Sequence, residues 1–406
     1  MEASALRTLW QVPGALRLGS SAFLLGLASS FAGPYLPLFG VQAAHLSPLR
    51  LGLFLTWVSL CSILISTVIG RWSDRLPNRR PALLLSLGSA VMGYLLLTSA
   101  AVSYPLLLLV GGLLLGTGAS AFPQLFAYAR VQLTPAGESA AQQGLTTLRS
   151  IFSLAWVVGP LLGAALLSNF GFGGLFGFTA AAYTLGALPL LLGRSRNRER
   201  KFVPPAQTPH SPPHTNLVTP RQLHLIALAF VLYATALSMG SSALPLYVTQ
   251  TLGGSSREVG WLIGLCALLE IPVMLSFVLR PRRTSPASMM VLGFGTLAAY
   301  VLMVSLSGSV GLLAAAQLLR AIAIGISAGL GMAYFQDLMP GRVGASTTLF
   351  ANTSSAGSVV AGTLFGVWAQ LFGYHSVFGL CAVLAVLACG LMLYVRHGKA
   401  GRIAQS

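Results

Sequence analysis

Residues 51–80 read LGLFLTWVSLCSILISTVIGRWSDRLPNRR, an apolar run without a charge that is followed by a short basic loop. About 20 mostly apolar residues are enough to cross the hydrocarbon core of a bilayer as a helix. The whole chain has this character, because 55% of its 406 residues are hydrophobic and only 8% are charged. Soluble domains carry about 25% charged residues, so the composition predicts a membrane protein.

Apolar runs of this kind alternate with short polar loops along the chain, and no alternating strand pattern competes with them. Lipid cannot hydrogen-bond exposed backbone, so each run is expected to form a helix. The runs cover residues 18–39, 49–70, 81–103, 105–130, 142–168, 173–192, 222–250, 258–280, 286–307, 310–338, 345–371 and 374–395. The predicted fold class is therefore an all-α membrane protein with twelve transmembrane helices.

The distribution of Lys and Arg predicts the direction in which the helices cross. With the N-terminus inside, the cytoplasmic segments hold 20 of the 24 basic residues, whereas the outer loops hold only Arg50 and Arg257. The other two, Arg149 and Arg320, lie inside apolar runs. Cytoplasmic loops are enriched in Lys and Arg, so both termini are predicted to be cytoplasmic. Topology and anionic lipid then explain the net charge of +17, and no nucleic-acid partner is expected.

The middle of the chain, residues 194–221, is first basic and then rich in proline, as in a linker. It separates a predicted N-terminal six-helix bundle at 1–193 from a C-terminal six-helix bundle at 222–406. The halves are weakly alike, since AYARVQLTP at 127–135 aligns with AYFQDLMP at 333–340, and Gly171 and Gly373 follow at matching places. Two parallel six-helix halves are typical of the major facilitator fold, in which the substrate site lies near the midplane.

The loop at 70–80 resembles the GxxxDRxGRR signature of that superfamily, with Asn78 in place of the usual glycine. The matching residues are Gly70, Asp74, Arg75, Arg79 and Arg80. The resemblance implies a cytoplasmic gate in which Asp74 pairs with cations and with the dipole of a helix N-terminus, and Arg130 is a further candidate partner. The alternative is an ordinary basic loop on the cytoplasmic side.

Several further stretches, spread from about residue 34 to 378, are similar to the bacterial sugar efflux transporter family. They are 123–126 with 129–130, 153–156 with 159–160, 269–272, and 335–342 with 347–350 and Asn352. The resemblance implies export of lactose, glucose or related glycosides. We expect a monomeric secondary transporter of the bacterial inner membrane that works by alternating access as a proton antiporter.

Three ionisable side chains fall inside the predicted spans. A charge at the centre of a span costs about 2.5–3.5 kcal/mol, so it normally faces a cavity or a partner. Glu270 is the only one of the seven acidic residues that lies deep within a span, and it is the candidate proton carrier. The alternative is a structural carboxylate that pairs permanently with Arg149 or Arg320.

Arg149 begins a polar face of the fifth predicted helix that continues through Ser153 and Trp156. A fork of donors beside an indole suits a sugar, whose hydroxyls accept hydrogen bonds and whose C–H faces stack on aromatic rings. Arg320 stands where the family resemblance implies an uncharged polar residue. The candidate substrate-binding residues are Gln124, Gln143, Arg149, Trp156, Glu270, Arg320 and Asn352. The amides among them could instead join helices.

Four aromatic residues near the predicted interfaces, Tyr35, Trp57, Tyr247 and Trp261, are expected in aromatic belts, with stacking against substrate as the alternative. The four cysteines are scattered in apolar runs and suggest packing rather than a disulfide or metal site.

The remaining patterns exclude several classes of protein. No GxxxxGK[ST] phosphate loop occurs, so ATP-driven transport is not expected. No nucleophile–base pair or metal-ligand spacing stands out, and the one acidic residue deep in a span has no second carboxylate, so neither enzymatic activity nor a cofactor is expected. Proton-coupled efflux of drugs or other small amphipathic solutes is the alternative transport function. A membrane receptor or scaffold on the same fold is the alternative outside transport.

Overall fold

The computed structural model describes residues 15–99, 103–192, 219–279 and 285–403, and every regular element in these ranges is helical. The all-α class predicted from the sequence is confirmed. Most of the predicted linker, 194–218, and the loop containing Arg280, Arg282 and Arg283 lie outside the described residues.

The helices follow the predicted apolar runs closely. The first four are α1 (Leu16–Gln42), α2 (Pro48–Arg75), α3 (Arg80–Leu97) and α4 (Tyr104–Leu133). The segment Glu138–Leu192 comprises α5 (138–170) and α6 (172–192). Next come α7 (Pro220–Thr251), α8 (Ser256–Leu279), α9 (Pro286–Ser305) and α10 (Val310–Leu338). The segment Val343–Ile403 comprises α11 (343–372) and α12 (374–403).

Two glycines with positive φ, Gly171 at +64° and Gly373 at +79°, interrupt the two longest helical segments. Glycine adopts this left-handed region without the strain that a Cβ would bring. Segments of 55 and 61 residues would exceed 80 Å if straight, against about 30 Å of hydrocarbon, so a turn is required. Nine segments in the described ranges have the length and composition of membrane spans, and two of them contain these turns. The exact number of crossings stays a prediction.

Side-chain caps fix where several helices begin. The Thr219 hydroxyl accepts the Gln222 backbone N–H at 3.3 Å, and the Gln222 side chain accepts the Thr219 N–H at 3.1 Å. Ser285 and Ser309 each accept the N–H three residues further on. Such caps stabilise a helix by about 1 kcal/mol each, which accounts for the starts of α7, α9 and α10.

The chain separates into two compact units. The described part of the first comprises residues 15–45, 57–99 and 103–192, and that of the second comprises 46–56, 219–279 and 285–403. The continuous helix α2 therefore contributes its first turns to the second unit and the rest to the first. The predicted bundle boundaries at 193 and 222 stay a prediction.

In the first unit, α1 crosses α5 through small residues. A Cβ on Gly26 of α1 would lie 2.7 Å from the Phe152 carbonyl oxygen and 2.9 Å from the Ala155 Cβ. Beside this point, the Ser30 hydroxyl donates to the Ala155 carbonyl at 3.2 Å and lies against Gly159. Only small side chains allow the two backbones to approach this closely.

The second unit repeats this crossing between α7 and α11, but there the glycine that faces an alanine lies on α11, the counterpart of α5. A Cβ on Gly357 of α11 would lie 2.5 Å from the Ala234 Cβ and 2.9 Å from the Thr235 nitrogen. The aromatic contacts at the turns repeat as well. Phe39 packs on Phe176 with ring centroids 4.9 Å apart in the first unit, and the second unit has the corresponding pair Tyr247 and Phe378 at 5.4 Å.

Large apolar side chains that are more than half exposed are frequent on the helices, for example Leu64, Val68 and Val383. Such a surface suits lipid. Trp57 and Trp261 are 44% and 47% exposed, as an aromatic belt requires.

The expectation of a belt or stacking position was wrong for Tyr35 and Tyr247, which are 0% and 1% exposed. Their hydroxyls donate to buried carbonyls, that of Pro160 at 2.6 Å for Tyr35 and that of Ser307 for Tyr247. The two phenols are therefore held by backbone acceptors, Pro160 within α5 and Ser307 just after the end of α9.

Candidate functional site

A buried arginine joins three helices of the second unit. Arg320 of α10 is 8% exposed, and its Nη2 donates to the Ser241 hydroxyl of α7 at 2.8 Å. Its Nη1 lies 3.5 Å from the Gln317 side-chain oxygen, one turn earlier on α10. The guanidinium carbon also lies 5.8 Å from the ring centroid of Tyr300 on α9. These partners are all uncharged.

Glu270 belongs to the same cluster. It is half-buried on α8 and lies close enough to Arg320 and to the Tyr233 hydroxyl for electrostatic interaction. Tyr233 of α7 is itself fixed, because its hydroxyl donates to the Ala323 carbonyl at 2.8 Å and lies 3.0 Å from the Ser327 hydroxyl. The structure thus brings together two of the three ionisable residues that the sequence places inside spans.

Three buried polar atoms have no hydrogen-bond partner within the described ranges. They are Arg320 Nε, the Tyr300 hydroxyl and the Gln124 side-chain oxygen. Most buried polar groups in proteins are hydrogen-bonded, so each of these atoms marks a position where another contact would be stabilising. Two of the three lie in the Arg320 cluster.

The third ionisable residue, Arg149, lies in the first unit on a polar face of α5 that other protein atoms leave uncovered. Arg149 and Ser153 are exposed, and Trp156 is half-buried. An adjacent face of α5 carries exposed apolar residues such as Leu154 and Leu161, which suit lipid. Placing a guanidinium in contact with lipid hydrocarbon is costly in free energy, so the polar face requires water or a ligand.

The other predicted ligands differ in burial. Gln143 on α5 and Asn352 on α11 are exposed, whereas Gln124 on α4 is buried. The first unit therefore carries Gln124, Gln143, Arg149 and Trp156, and the second carries Glu270, Arg320 and Asn352.

Sequence reasoning missed the residues that hold Arg320. Ser241 is 79 positions away in the chain, and Tyr300 lies on a third helix. The spacing of three between Gln317 and Arg320 was the one available signal, because it puts both side chains on one face of α10.

The predicted cytoplasmic gate loop is well defined. Asp74 forms an ion pair with Arg79, and the Asn78 side chain accepts the Arg80 N–H at 2.9 Å. Asn78, which replaces the signature glycine, thus makes the local turn that starts α3. The Arg80 side chain donates to the Leu191 carbonyl at the end of α6. A pairing of Asp74 with Arg130 stays a prediction.

The described residues contain no cluster of three or more His, Cys, Asp or Glu side chains able to hold a metal ion.

Comparison with known proteins defines the class. The family model described as Major Facilitator Superfamily matches residues 18–282 and 226–405. A variant of the nucleoside transporter NupG, solved by crystallography, has the same fold, with a TM-score of 0.77 at 12% identity over 94% of this chain and 99% of that one. The chain is therefore a major facilitator transporter with several membrane-spanning helices and a small-molecule substrate, and the prediction that it is not an enzyme is confirmed.

Sequence relatives narrow the class further. A putative sugar efflux transporter of Deinococcus radiodurans is 44% identical over 94% of this chain and 98% of its own length. Sugar efflux transporter A of Dickeya chrysanthemi is 37% identical over 96% of this chain and 97% of its own length. The chain belongs to the sugar efflux transporter family of this superfamily, as the sequence motifs predicted.

Proposed function

We propose that the protein exports sugars such as lactose, glucose or related glycosides by alternating access, in exchange for protons. The observation that carries the substrate class is the near full-length similarity to proteins named sugar efflux transporters. The proposal includes a monomer in the bacterial inner membrane with both termini in the cytoplasm, in keeping with the basic loops.

The sugar site is proposed to use the polar face of α5 in the first unit, with Arg149 and Gln143 as donors and Trp156 as the stacking surface. Gln124 adds an unsatisfied buried acceptor in the same unit. These groups offer the donors, acceptors and aromatic surface that a polyhydroxylated ring can use.

Glu270 is proposed to carry the proton. A carboxyl group takes up and releases a proton reversibly, and this is the one carboxyl that the sequence places deep inside a span. The loop with Asp74 and Arg79 is proposed to act as the cytoplasmic gate, together with Gly70, Arg75, Arg80 and Arg130.

The substrate proposal is tested by counterflow in liposomes that contain the purified protein. We expect radiolabelled lactose or glucose to accumulate when the lumen is preloaded with the unlabelled sugar. Lipophilic drugs in place of sugar serve as the comparison. Drug exchange without sugar exchange by folded protein would replace the sugar proposal with the drug alternative.

The proton proposal is tested separately with Glu270→Gln. We expect this variant to lose uphill transport driven by a pH gradient while it keeps counterflow, which needs no net proton movement. Glu258→Gln is the matched control, because Glu258 lies at the start of the same helix and caps it through the Ser255 N–H at 2.6 Å. Full gradient-driven transport by Glu270→Gln would remove Glu270 as the carrier.

A further inference from the structure

The hydrogen-bond and aromatic partners of Arg320 do not compensate its charge. Ser241, Gln317 and Tyr300 supply two hydrogen bonds and an aromatic face, but none of them carries a negative charge. Burying an ion without a counter-charge costs several kcal/mol even after relaxation. A guanidinium that is 8% exposed within a span therefore calls for an anion during part of the transport cycle.

The packing of α8 against α10 indicates where that anion lies. A Cβ on Gly325 of α10 would lie 2.8 Å from the Val273 Cγ1 of α8. Along the chain, α9 is the single helix between α8 and α10, so α8 and α10 run in the same direction. Each residue of a helix advances about 1.5 Å along its axis. Glu270 lies about 4.5 Å and Arg320 about 7.5 Å before this contact, so the two differ by only about 3 Å in depth.

The other titratable groups near this cluster come from four helices. They are Tyr233 on α7, Cys266 on α8, Tyr300 on α9 and Cys381 on α12. Cys381 belongs to this set because it lies close enough to Tyr300 for electrostatic interaction. Phenols and thiols titrate ordinarily near 10 and 8.5, so they are uncharged at neutral pH. Glu270 is the group in this set that supplies a full negative charge.

We propose that Arg320 is the counter-ion of Glu270 and acts as a positioning residue for the proton step, a role that rests on the proposed function. When Glu270 is ionised, Arg320 Nε, which has no partner in the described part of the chain, donates to the carboxylate. When Glu270 takes up a proton, Ser241, Gln317 and the Tyr300 ring hold the guanidinium. Arg149, the other candidate partner, has no part in this pair.

The pairing is tested by a double-mutant cycle on the thermal stability of the full chain in detergent at neutral pH. We expect Glu270→Gln and Arg320→Gln each to lower the apparent Tm, because each leaves one buried charge alone. The double variant should lose clearly less than the sum of the two losses. Arg149→Gln is the matched control and should add to Glu270→Gln without coupling.

The same cycle decides the case even if Arg320→Gln is strongly destabilised, because the double variant is compared with the sum of the two single losses. A double variant that loses the full sum of the two single losses, or coupling between Glu270→Gln and Arg149→Gln, would overturn the proposal. This readout does not depend on transport, so it stands apart from failure of the sugar or proton assays.

The positioning role is tested by transport. We expect Arg320→Gln to lose a much larger fraction of pH-gradient-driven transport than of counterflow, and Arg320→Lys, which retains the charge, to recover most of the driven transport. Loss of counterflow by folded Arg320→Gln, or no recovery by Arg320→Lys, would assign Arg320 to sugar binding or to structure instead.

Discussion

The crossing of α1 and α5 gives a sharp test of the packing. In Gly159→Ala, the new Cβ would overlap the Ser30 hydroxyl and lie 2.6 Å from the Ser30 Cβ. Rotation of the hydroxyl cannot relieve the second contact, so a helix must shift. Overpacking of this kind costs about 1–3 kcal/mol of the free energy of unfolding.

A second substitution, at Ser30, should relieve the overlap that Gly159→Ala creates. Once the Ser30 side chain is removed, the nearest remaining atom to the new Cβ is the Ser30 carbonyl carbon at 3.7 Å, an ordinary contact. Ser30→Gly alone loses the hydrogen bonds to Leu27 at 3.0 Å and to Ala155 at 3.2 Å, at a cost of about 1–2 kcal/mol. The double variant should therefore be no less stable than Ser30→Gly alone.

Unfolding in detergent, followed by the fluorescence of the six tryptophans, measures these differences. Gly88→Ala is the control in the same unit, since nothing lies within 4 Å of its Cβ and the change should be neutral or stabilise by up to about 1 kcal/mol. Wild-type stability of Gly159→Ala, or a double variant that loses the sum of both single losses, would refute the described approach of α1 and α5.

Three smaller predictions follow from individual contacts. Trp57→Phe removes the indole bond to the Leu108 carbonyl at 2.9 Å and should cost about 1 kcal/mol in the same unfolding assay. Asp74→Asn breaks an ion pair whose carboxylate is exposed, so stability should change by less than about 1 kcal/mol, and any larger effect should appear in the transport rate. Gly373→Ala should lower the apparent Tm because φ is +79°, whereas Gly379→Ala, with open space at its Cβ, should not.

Element type and approximate bounds were predictable because length and hydropathy determine what can cross a bilayer. The predicted run at 105–130 became Tyr104–Leu133, and that at 142–168 became 138–170. Irregularities within helices were not predictable in this way. One example is the π-helical turn at Val110–Leu115, next to the Leu108 carbonyl that accepts the indole N–H of Trp57 from another helix.

The candidate site shows the same limit. The sequence predicted that Glu270, Arg149 and Arg320 are exceptional, because a charge inside an apolar run is costly wherever it points. It could not decide between the two arginines as partner of Glu270, since helical periodicity gives a face but not the neighbour of that face. For Tyr35 the apolar surroundings suggested the interface, whereas its hydroxyl serves the Pro160 carbonyl.

Each of the two crossings pairs a glycine with an alanine, Gly26 of α1 with Ala155 in one unit and Gly357 of α11 with Ala234 in the other. The two units thus keep the same combined side-chain volume at this contact, although the smaller residue comes from the opposite helix. Position-by-position alignment scores such an exchange as two mismatches. Comparing summed volumes of touching pairs would uncover duplicated halves in transporters whose letters have diverged.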